Sequence, residues 1–147
     1  MKTIPKWVTM LPIIYSLKLA KCGNEMSLDD WKPAALFAYD VIDLSENEIS
    51  GSPALFLNQT IILLEFRAAG NKLRFDLGKL TFSKRMKTLD LSRNLVFGTV
   101  PTSLAGLETL NLSHNHLCGK LPATKFPASA FAGNDCLCGS PLSPCKA

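Results

Sequence analysis

The sequence lacks the residue patterns that mark membrane-spanning, nucleic-acid-binding and catalytic proteins. Its apolar stretch from Trp7 to Leu19 is too short for a transmembrane helix. Lys and Arg outnumber Asp and Glu by 16 to 12, yet no basic run interleaves with aromatic residues. No paired carboxylates, nucleophile beside a base or phosphate-binding glycine loop stand in a catalytic context. We therefore expect no enzyme activity, no cofactor, no nucleic-acid partner and no transmembrane segment in this chain.

What the sequence contains instead is a fixed spacing of leucines around an asparagine. Between Leu107 and Pro122 the apolar residues follow neither a helical period nor a simple alternation. One short strand followed by a turn explains them, because Leu110 and Leu112 point the same way from a strand. Asn115 then enters the turn, where its amide bonds backbone groups that a tight bend leaves unpaired. The pattern L-x-x-L-x-L-x-x-N-x-L is the signature of a leucine-rich repeat.

The same pattern recurs along nearly the whole chain. Its asparagines are Asn47, Asn71, Asn94 and Asn115, which follow one another at nearly equal spacing. Cys22 takes the equivalent position one repeat before Asn47. All of these spacings lie within the period of about 20–29 residues that the architecture requires. We predict an α/β solenoid, a leucine-rich-repeat array with short parallel strands on its concave face and a disulfide-stapled C-terminal cap.

The segment from Met1 to Cys22 allows two interpretations. Two lysines before the apolar stretch outline a secretory signal peptide. The repeat template accounts for the segment better, because its apolar positions match from Ile4 to Leu19 and no small-residue cleavage site is well placed. The array would then lack an N-terminal capping unit, which repeat proteins need. We expect the chain to be the C-terminal part of a longer protein or the product of a truncated gene.

The repeat pattern predicts that the chain has two structural parts. Residues 1–125 are predicted to form a partial array of about five coils without an N-terminal cap, and residues 126–147 a cysteine-rich cap. Between the first two coils, Ser27 to Asp30 has the spacing of a helix capping box with Asp in place of Glu. A single helical turn on the outer side is expected there.

Four of the five cysteines, Cys118, Cys136, Cys138 and Cys145, are concentrated near the C-terminal end of the chain. That density at a chain end is typical of a stapled cap. A bridge between Cys136 and Cys138 is disfavoured by its small ring, which leaves two pairing schemes open. The rival interpretation is a metal site built from His114, His116, Cys118 and Cys136. Those histidines are too close together for ordinary zinc spacing, so we expect no metal.

Candidate binding residues occupy the outward strand positions of the concave face. The central column is Lys18, Asp43, Arg67, Asp90 and Asn111; beside it run Ser45, Ala69, Ser92 and Ser113, then Glu46, Gly70, Arg93 and His114, with Glu65 as a further candidate. Charges alternate along the central column, and we expect them mainly to satisfy one another across neighbouring strands. Glu46, Arg93 and His114 are expected to be freer to meet a partner.

The repeat endings and the cap resemble one known class. The endings L-x-G-x-I/L-P are similar to those of plant-specific extracellular leucine-rich repeats. The stretch from Asn134 to Cys145, N-D-C-L-C-G-S-P-L-S-P-C, resembles the C-terminal cap of polygalacturonase-inhibiting proteins and of receptor-like ectodomains. The resemblance covers essentially everything from Ile4 onward, although the family's N-terminal cysteine cap is absent and the repeat count is about half.

This resemblance implies sequential cap disulfides, Cys118–Cys136 and Cys138–Cys145. It also implies binding of an extracellular protein or peptide, with secretion to the cell wall or display at the cell surface as part of a longer precursor. The alternative is a truncated fragment of a receptor-like protein or kinase with no independent function. Sequons at Asn58 and Asn111 fit secretion and are candidate glycosylation sites, the second on the binding face.

Overall fold

The structure, a computed structural model, describes residues 16–30, 40–54, 57, 63–80, 82 and 84–146. It contains ten short strands there: β1 Ser16–Lys18, β2 Val41–Asp43, β3 Ser50–Gly51, β4 Glu65–Arg67, β5 Lys72–Leu73, β6 Thr88–Asp90, β7 Phe97–Gly98, β8 Thr109–Asn111, β9 His116–Lys120 and β10 Cys136–Cys138. Short 3-10 helices lie at Leu28–Asp30, Leu77–Lys79, Thr102–Gly106 and Ala128–Ala130. Residues 1–15 of the signal-like segment and the Asn58 sequon lie outside the described residues.

Five strands form the parallel sheet that the repeat pattern predicts. Their order is β1-β2-β4-β6-β8, so each coil adds one strand beside the last. The middle residues of these strands stand in register: Leu17, Ile42, Phe66, Leu89 and Leu110. All five are buried, while the residues on either side of each point to the opposite face of the sheet. The solenoid fold predicted from the sequence is confirmed.

The hydrophobic core runs along the solenoid axis. Three coils add a buried leucine one place after the concave strand, Leu44, Leu91 and Leu112, each at most 1% exposed, and the coil of β4 has the buried Ala68 there. Phe131 joins the same core from the cap. Burying such a side chain contributes roughly 1.5–3 kcal/mol relative to leaving it in water. Because each coil buries its leucines against its neighbours, the stability of the array depends on contacts between adjacent coils.

A second line of parallel strands, which the repeat spacing does not predict, runs beside the first. It consists of the pair β3-β5 and the sheet β7-β9-β10. The glycine of the repeat ending explains its geometry. Gly98 has φ +92°, and a Cβ there would lie 2.1 Å from Oδ1 of Asp76 in the previous coil. That same oxygen accepts the N–H of Gly78 at the start of a 3-10 helix, so glycine leaves room for the helix cap.

The second line is interrupted where a coil departs from the repeat ending. Phe75 stands at the position that Gly51, Gly98 and Gly119 hold in their coils, and its side chain is buried. Strand β5 ends at Leu73. Toward the next coil this line has only the backbone hydrogen bonds from Leu95 to Leu73 and from Phe97 to Phe75, with a single bridge between Asp76 and Phe97, among the described residues. The second line therefore forms two separate sheets, with Phe75 between them.

The cap continues the coil geometry beyond the point where the sequence pattern stops. Strand β10 pairs in parallel with β9, and disulfides join Cys118 to Cys136 and Cys138 to Cys145. Asn134 holds the position of a repeat asparagine, since its Oδ1 accepts the N–H of Leu117 at 3.1 Å. The predicted array thus extends structurally into residues 126–147.

The first outer connection contains the expected helical turn with a different cap. A 3-10 helix spans Leu28–Asp30, and the Ser27 hydroxyl accepts the N–H of Asp29 at 3.2 Å. The Ser27 hydroxyl also donates to the Asp29 carboxylate at 3.3 Å. A capping box would instead have the Asp30 carboxylate accept the backbone N–H of Ser27, which is the arrangement of an α-helical first turn.

Candidate functional site: the concave face

A ladder of buried asparagines fixes the ends of the concave strands. Asn94 shows the pattern: its Nδ2 donates to the carbonyls of Ala68, Leu91 and Ser92 at 2.9–3.1 Å. Its Oδ1 accepts the N–H of Leu73 in the previous coil at 3.0 Å. One amide therefore joins adjacent coils and satisfies backbone groups that the turn leaves unpaired.

The other predicted ladder positions are occupied in the same way. The Oδ1 atoms of Asn47, Asn71 and Asn115 accept the N–H groups of Asn24, Ile49 and Val96 respectively. At the first position Cys22 donates its own backbone N–H to Asn47 Oδ1 at 3.1 Å, and its thiol donates to the Ala20 carbonyl. A sixth member, Asn134, was missed by sequence reasoning, although the motif Phe131-Ala-Gly-Asn134 carries the same small-residue turn.

The central column lies side by side on the outward face, in the order Lys18, Asp43, Arg67, Asp90 and Asn111. Its carboxylates are engaged within their own coils. Oδ1 of Asp90 accepts both the N–H and the hydroxyl of Ser92, at 3.0 and 2.7 Å. Arg67 Nε lies 3.6 Å from Glu65 Oε2 on its own strand. Among the described residues no ion pair joins neighbouring members of the central column, and Asp43, Arg67 and Asp90 contact groups of their own coils instead.

The column next to the central column, Ser45, Ala69, Ser92 and Ser113, is largely buried and supports the central column through hydrogen bonds. Ser92 and Ser113 are 5% and 8% exposed, and Ala69 is buried as well. Ser113 donates its N–H and its hydroxyl to Asn111 Oδ1, as Ser92 does to Asp90. Ser45, which is half-buried, donates only its N–H to Asp43. These residues hold the central column in place, so the expectation that Ser92 and Ser113 face a partner is corrected.

The third column is made of residues in the left-handed backbone conformation. Glu46, Arg93 and His114 have φ values of +57°, +55° and +57°, and Gly70 has +70°. Arg93 Nη2 forms an ion pair with Glu46 Oε1 across Gly70. A Cβ at Gly70 would lie 2.6 Å from Glu46 Oε2, so glycine leaves space for this contact over two strand spacings, about 10 Å.

This pairing corrects the prediction that Glu46 and Arg93 are freer than the central column to meet a partner. The carboxylate of Glu46 raises the pKa of the Arg93 guanidinium, first through the hydrogen bond and then through Coulomb attraction. His114 lies over Gly133, where a Cβ would be 2.3 Å from its Nδ1. Sequence reasoning missed the ion pair because its partners are 47 residues apart and meet only across a glycine of the intervening coil.

A further outward column was only partly recognised from sequence. It lies two residues before the central column and comprises Ser16, Val41, Glu65, Thr88 and Thr109. Thr88 is buried, at 6% exposure, and the other four are exposed or half-buried. Of these residues only Glu65 was a candidate. Together the two columns present a mixed surface of hydroxyl, carboxylate, guanidinium and ammonium groups on a rigid backbone. Such a surface offers hydrogen bonds at regular spacing to an extended partner surface.

A basic groove borders this face at the start of β6 and β8. It is open, has a volume of about 460 Å³, and is lined by Leu64, Lys84, Arg85, Met86, Lys87, Gly106 and Glu108. Sequence reasoning did not single it out. The cluster Lys84-Arg85-Met86-Lys87 was the available signal, since Met86 is buried and the three cations around it are exposed.

The structure gives no metal centre or membrane span in the part it describes. No group of three or more potential metal ligands occurs among the described residues. The rival metal set is dispersed: Cys118 and Cys136 form a disulfide, and His116 Nδ1 lies 3.1 Å from Asp135 Oδ1. Within the same residues no helix has the length and apolar character needed to cross a membrane.

Known proteins share both the sequence pattern and the fold. The Leucine Rich Repeat family model matches residues 85–107 and 106–124. Polygalacturonase inhibitor 2 of Arabidopsis thaliana is 34% identical over 111 residues, and polygalacturonase inhibitor 1 of Phaseolus vulgaris is 40% identical over 113. Each match covers 71% of this chain, with 34% and 32% of the inhibitors respectively.

Solved structures of plant proteins also match the fold of this chain. A plant ice-binding protein superimposes with a TM-score of 0.77 at 27% identity, over 99% of this chain and 56% of that one. The Arabidopsis receptor kinase HAESA, solved with the peptide hormone IDA and the co-receptor SERK1, gives 0.70 at 31% identity, over 93% and 24%. The chain belongs to the plant extracellular leucine-rich-repeat proteins.

Membership of this class agrees with the sequence-based assignment to the cell exterior, either secreted or at the cell surface. The leucine-rich-repeat chain spans about a third of the length of the curated inhibitors that it matches, 34% and 32%. The proteins named in these comparisons are polygalacturonase inhibitors, an ice-binding protein and a receptor kinase.

Proposed function

We propose that this chain is a non-catalytic binding module that recognises an extracellular protein or peptide through its concave face, in the manner of a polygalacturonase inhibitor. The observation that carries the proposal is the pair of outward columns held in register above the asparagine ladder. A rigid surface of this kind loses little conformational entropy when it binds. The similarity to polygalacturonase inhibitors supports the choice of partner class.

Within this face, the proposed contact residues are those whose side chains remain outward and unburied. They are Lys18, Asp43, Glu65, Arg67, Asp90 and Asn111. Arg67 is central among them, with its side chain 43% exposed between two carboxylate-bearing strands. Arginine at the centre of a contact surface is a frequent source of binding energy.

The test measures inhibition and binding of a fungal polygalacturonase by the full chain, produced in an oxidising host. We expect the double variant Lys18→Glu, Arg67→Glu to bind at least about tenfold more weakly, because it reverses two outward cations. The matched control is Lys79→Glu, Lys146→Glu, which makes the same change in net charge at exposed positions outside the concave strands. Equal loss in both double variants would contradict concave-face binding.

A second candidate is a fragment of a receptor-like protein with no independent function. The observation that favours it is the match to only about a third of each inhibitor, 34% and 32%. A folded wild-type chain that neither binds nor inhibits the polygalacturonase would support this alternative.

A further inference from the structure

We propose that the side of the solenoid carries a second binding surface, which takes an acidic peptide segment of another protein that also bears apolar side chains. This surface, the lateral patch, consists of Lys72, Arg74, Leu95, Phe97 and His116. All five are outward residues at or beside strands β5, β7 and β9. Because these strands belong to the second line and not to the concave sheet, both surfaces can be occupied together.

The five residues are neighbours in space. Phe97 pairs with His116 across β7 and β9. The guanidinium of Arg74 lies 5.8 Å from the centroid of the Phe97 ring. Leu95 donates its backbone N–H to the Leu73 carbonyl at 2.8 Å, which places it beside Arg74. Lys72 points to the same side as Arg74, two residues before it.

The centre of the lateral patch is apolar without serving the core. Among the described residues, Leu95 and Phe97 are the large hydrophobic side chains that remain exposed, at 41% and 38%. Val96 between them is fully buried, so the coil already has its core residue. A partner that covers these two neighbouring apolar side chains removes them from water, and this lowers the free energy of binding.

The edge of the lateral patch is cationic. Lys72 and Arg74 are exposed, and neither has an acidic partner among the residues that the structure describes. On the far side the imidazole of His116 is already engaged by the Asp135 carboxylate. The unneutralised charge is therefore positive and lies next to Leu95 and Phe97, which matches carboxylates adjacent to apolar groups.

A peptide fits these features better than a polysaccharide or a second copy of the chain. Arg74 covers one face of the Phe97 ring, which hinders the stacking of a sugar on that face. A stable protein interface takes about 20–30 residues on each side, whereas the patch offers five. A short segment that contributes a few side chains needs no larger surface.

The experiment uses the full chain and three panels of synthetic nonapeptides. In the first panel Asp or Glu alternates with Leu or Phe; in the second Lys replaces the acids; in the third Ser replaces the apolar residues. Fluorescence polarisation is expected to detect binding of the first panel only. We expect Leu95→Ser combined with Phe97→Ser, and separately Lys72→Glu combined with Arg74→Glu, each to weaken that binding at least about tenfold.

The controls separate this inference from the proposed function. Arg67→Glu on the concave face is expected to leave peptide binding unchanged, whether or not polygalacturonase binding survives. Circular dichroism checks that each variant is folded, and exposed positions give no reason for unfolding. Failure of all panels, equal binding of all panels, or unchanged binding by both lateral variants would overturn the proposal. So would tighter binding of oligogalacturonates at the patch, or a dimer in sedimentation that the Leu95→Ser, Phe97→Ser variant abolishes.

Discussion

Asn94 makes four hydrogen bonds inside the solenoid, three through Nδ2 and one through Oδ1. Replacing it by leucine keeps a similar volume but leaves buried carbonyls and one N–H without a partner. Each unsatisfied buried group costs about 1–3 kcal/mol, partly offset by relaxation, so we expect Asn94→Leu to lower the free energy of unfolding by about 2–4 kcal/mol. Urea denaturation followed by circular dichroism measures this.

Asn134→Leu is the graded control, because Asn134 occupies the same ladder at a half-exposed position. Water can replace its lost hydrogen bonds, and the expected destabilisation is smaller. Equal losses of stability in Asn94→Leu and Asn134→Leu would contradict the explanation that burial of the amide determines the size of the loss.

Asn24 breaks the repeat pattern at a single residue. It occupies the core position that Ile49 and Leu73 hold in the next coils. Its fully buried side-chain amide has no hydrogen-bond partner among the residues that the structure describes. We expect Asn24→Leu to raise the free energy of unfolding by about 1–3 kcal/mol, because it removes this unpaired group and adds apolar burial. Its backbone bonds to Asn47 and Glu48 do not depend on the side chain. Thermal unfolding tests this, and a less stable variant would refute the explanation.

At the level of the element, the glycine of the repeat ending shapes the second line of strands. Gly98→Ala would place a Cβ 2.1 Å from Asp76 Oδ1 at a residue with φ +92°. We expect a loss of about 1–3 kcal/mol from strain in the left-handed region and displacement of the helix cap. Gly106 is the matched control: a Cβ there meets nothing within 4 Å, so Gly106→Ala should be neutral or slightly stabilising. Similar losses in both variants, measured by urea denaturation, would argue against the role of Asp76.

The concave strands could be predicted from sequence and the second line could not. In β6 and β8 the apolar residues alternate with polar ones around Leu89 and Leu110, which is a period of two. The second strands span as few as two residues, as in β5 and β7, which is too short to show any period. Their geometry depends on contacts such as that between Asp76 and Gly98, which the repeat spacing alone does not reveal.

In the candidate site, too, some features could be predicted from sequence and others could not. The positions of the ladder and of the central column came directly from the repeat spacing, because both depend only on register. The Glu46–Arg93 ion pair did not, since it needs the missing side chain at Gly70 and the left-handed backbone at both partners. The burial of Ser92 and Ser113 likewise follows from hydrogen bonds to the preceding strand residue, not from the polarity of serine.

For the whole molecule, the cap disulfides determine how one end of the solenoid is closed. Cys118–Cys136 closes a loop with a sequence separation of 18 residues and ties β9 to β10. We expect Cys118→Ser combined with Cys136→Ser to lower the free energy of unfolding by about 2–4 kcal/mol. Cys22→Ser is the control, because Cys22 is unpaired and half-buried. Thiol titration of the denatured wild type should find one reactive group before reduction and all five cysteines after it. An undiminished stability in the double variant would exclude a structural role for this bridge.

The proposed binding site is the concave face, whose strands the asparagine ladder holds in register. Hydroxyl-radical footprinting of the full chain with and without a fungal polygalacturonase locates the contact surface. We expect a complex in which Val41, Glu65 and Arg67 become protected while the outer helix Leu77–Lys79 stays as reactive as before. Protection confined to the outer helices, or no complex with a chain that is folded and oxidised, would contradict this proposal.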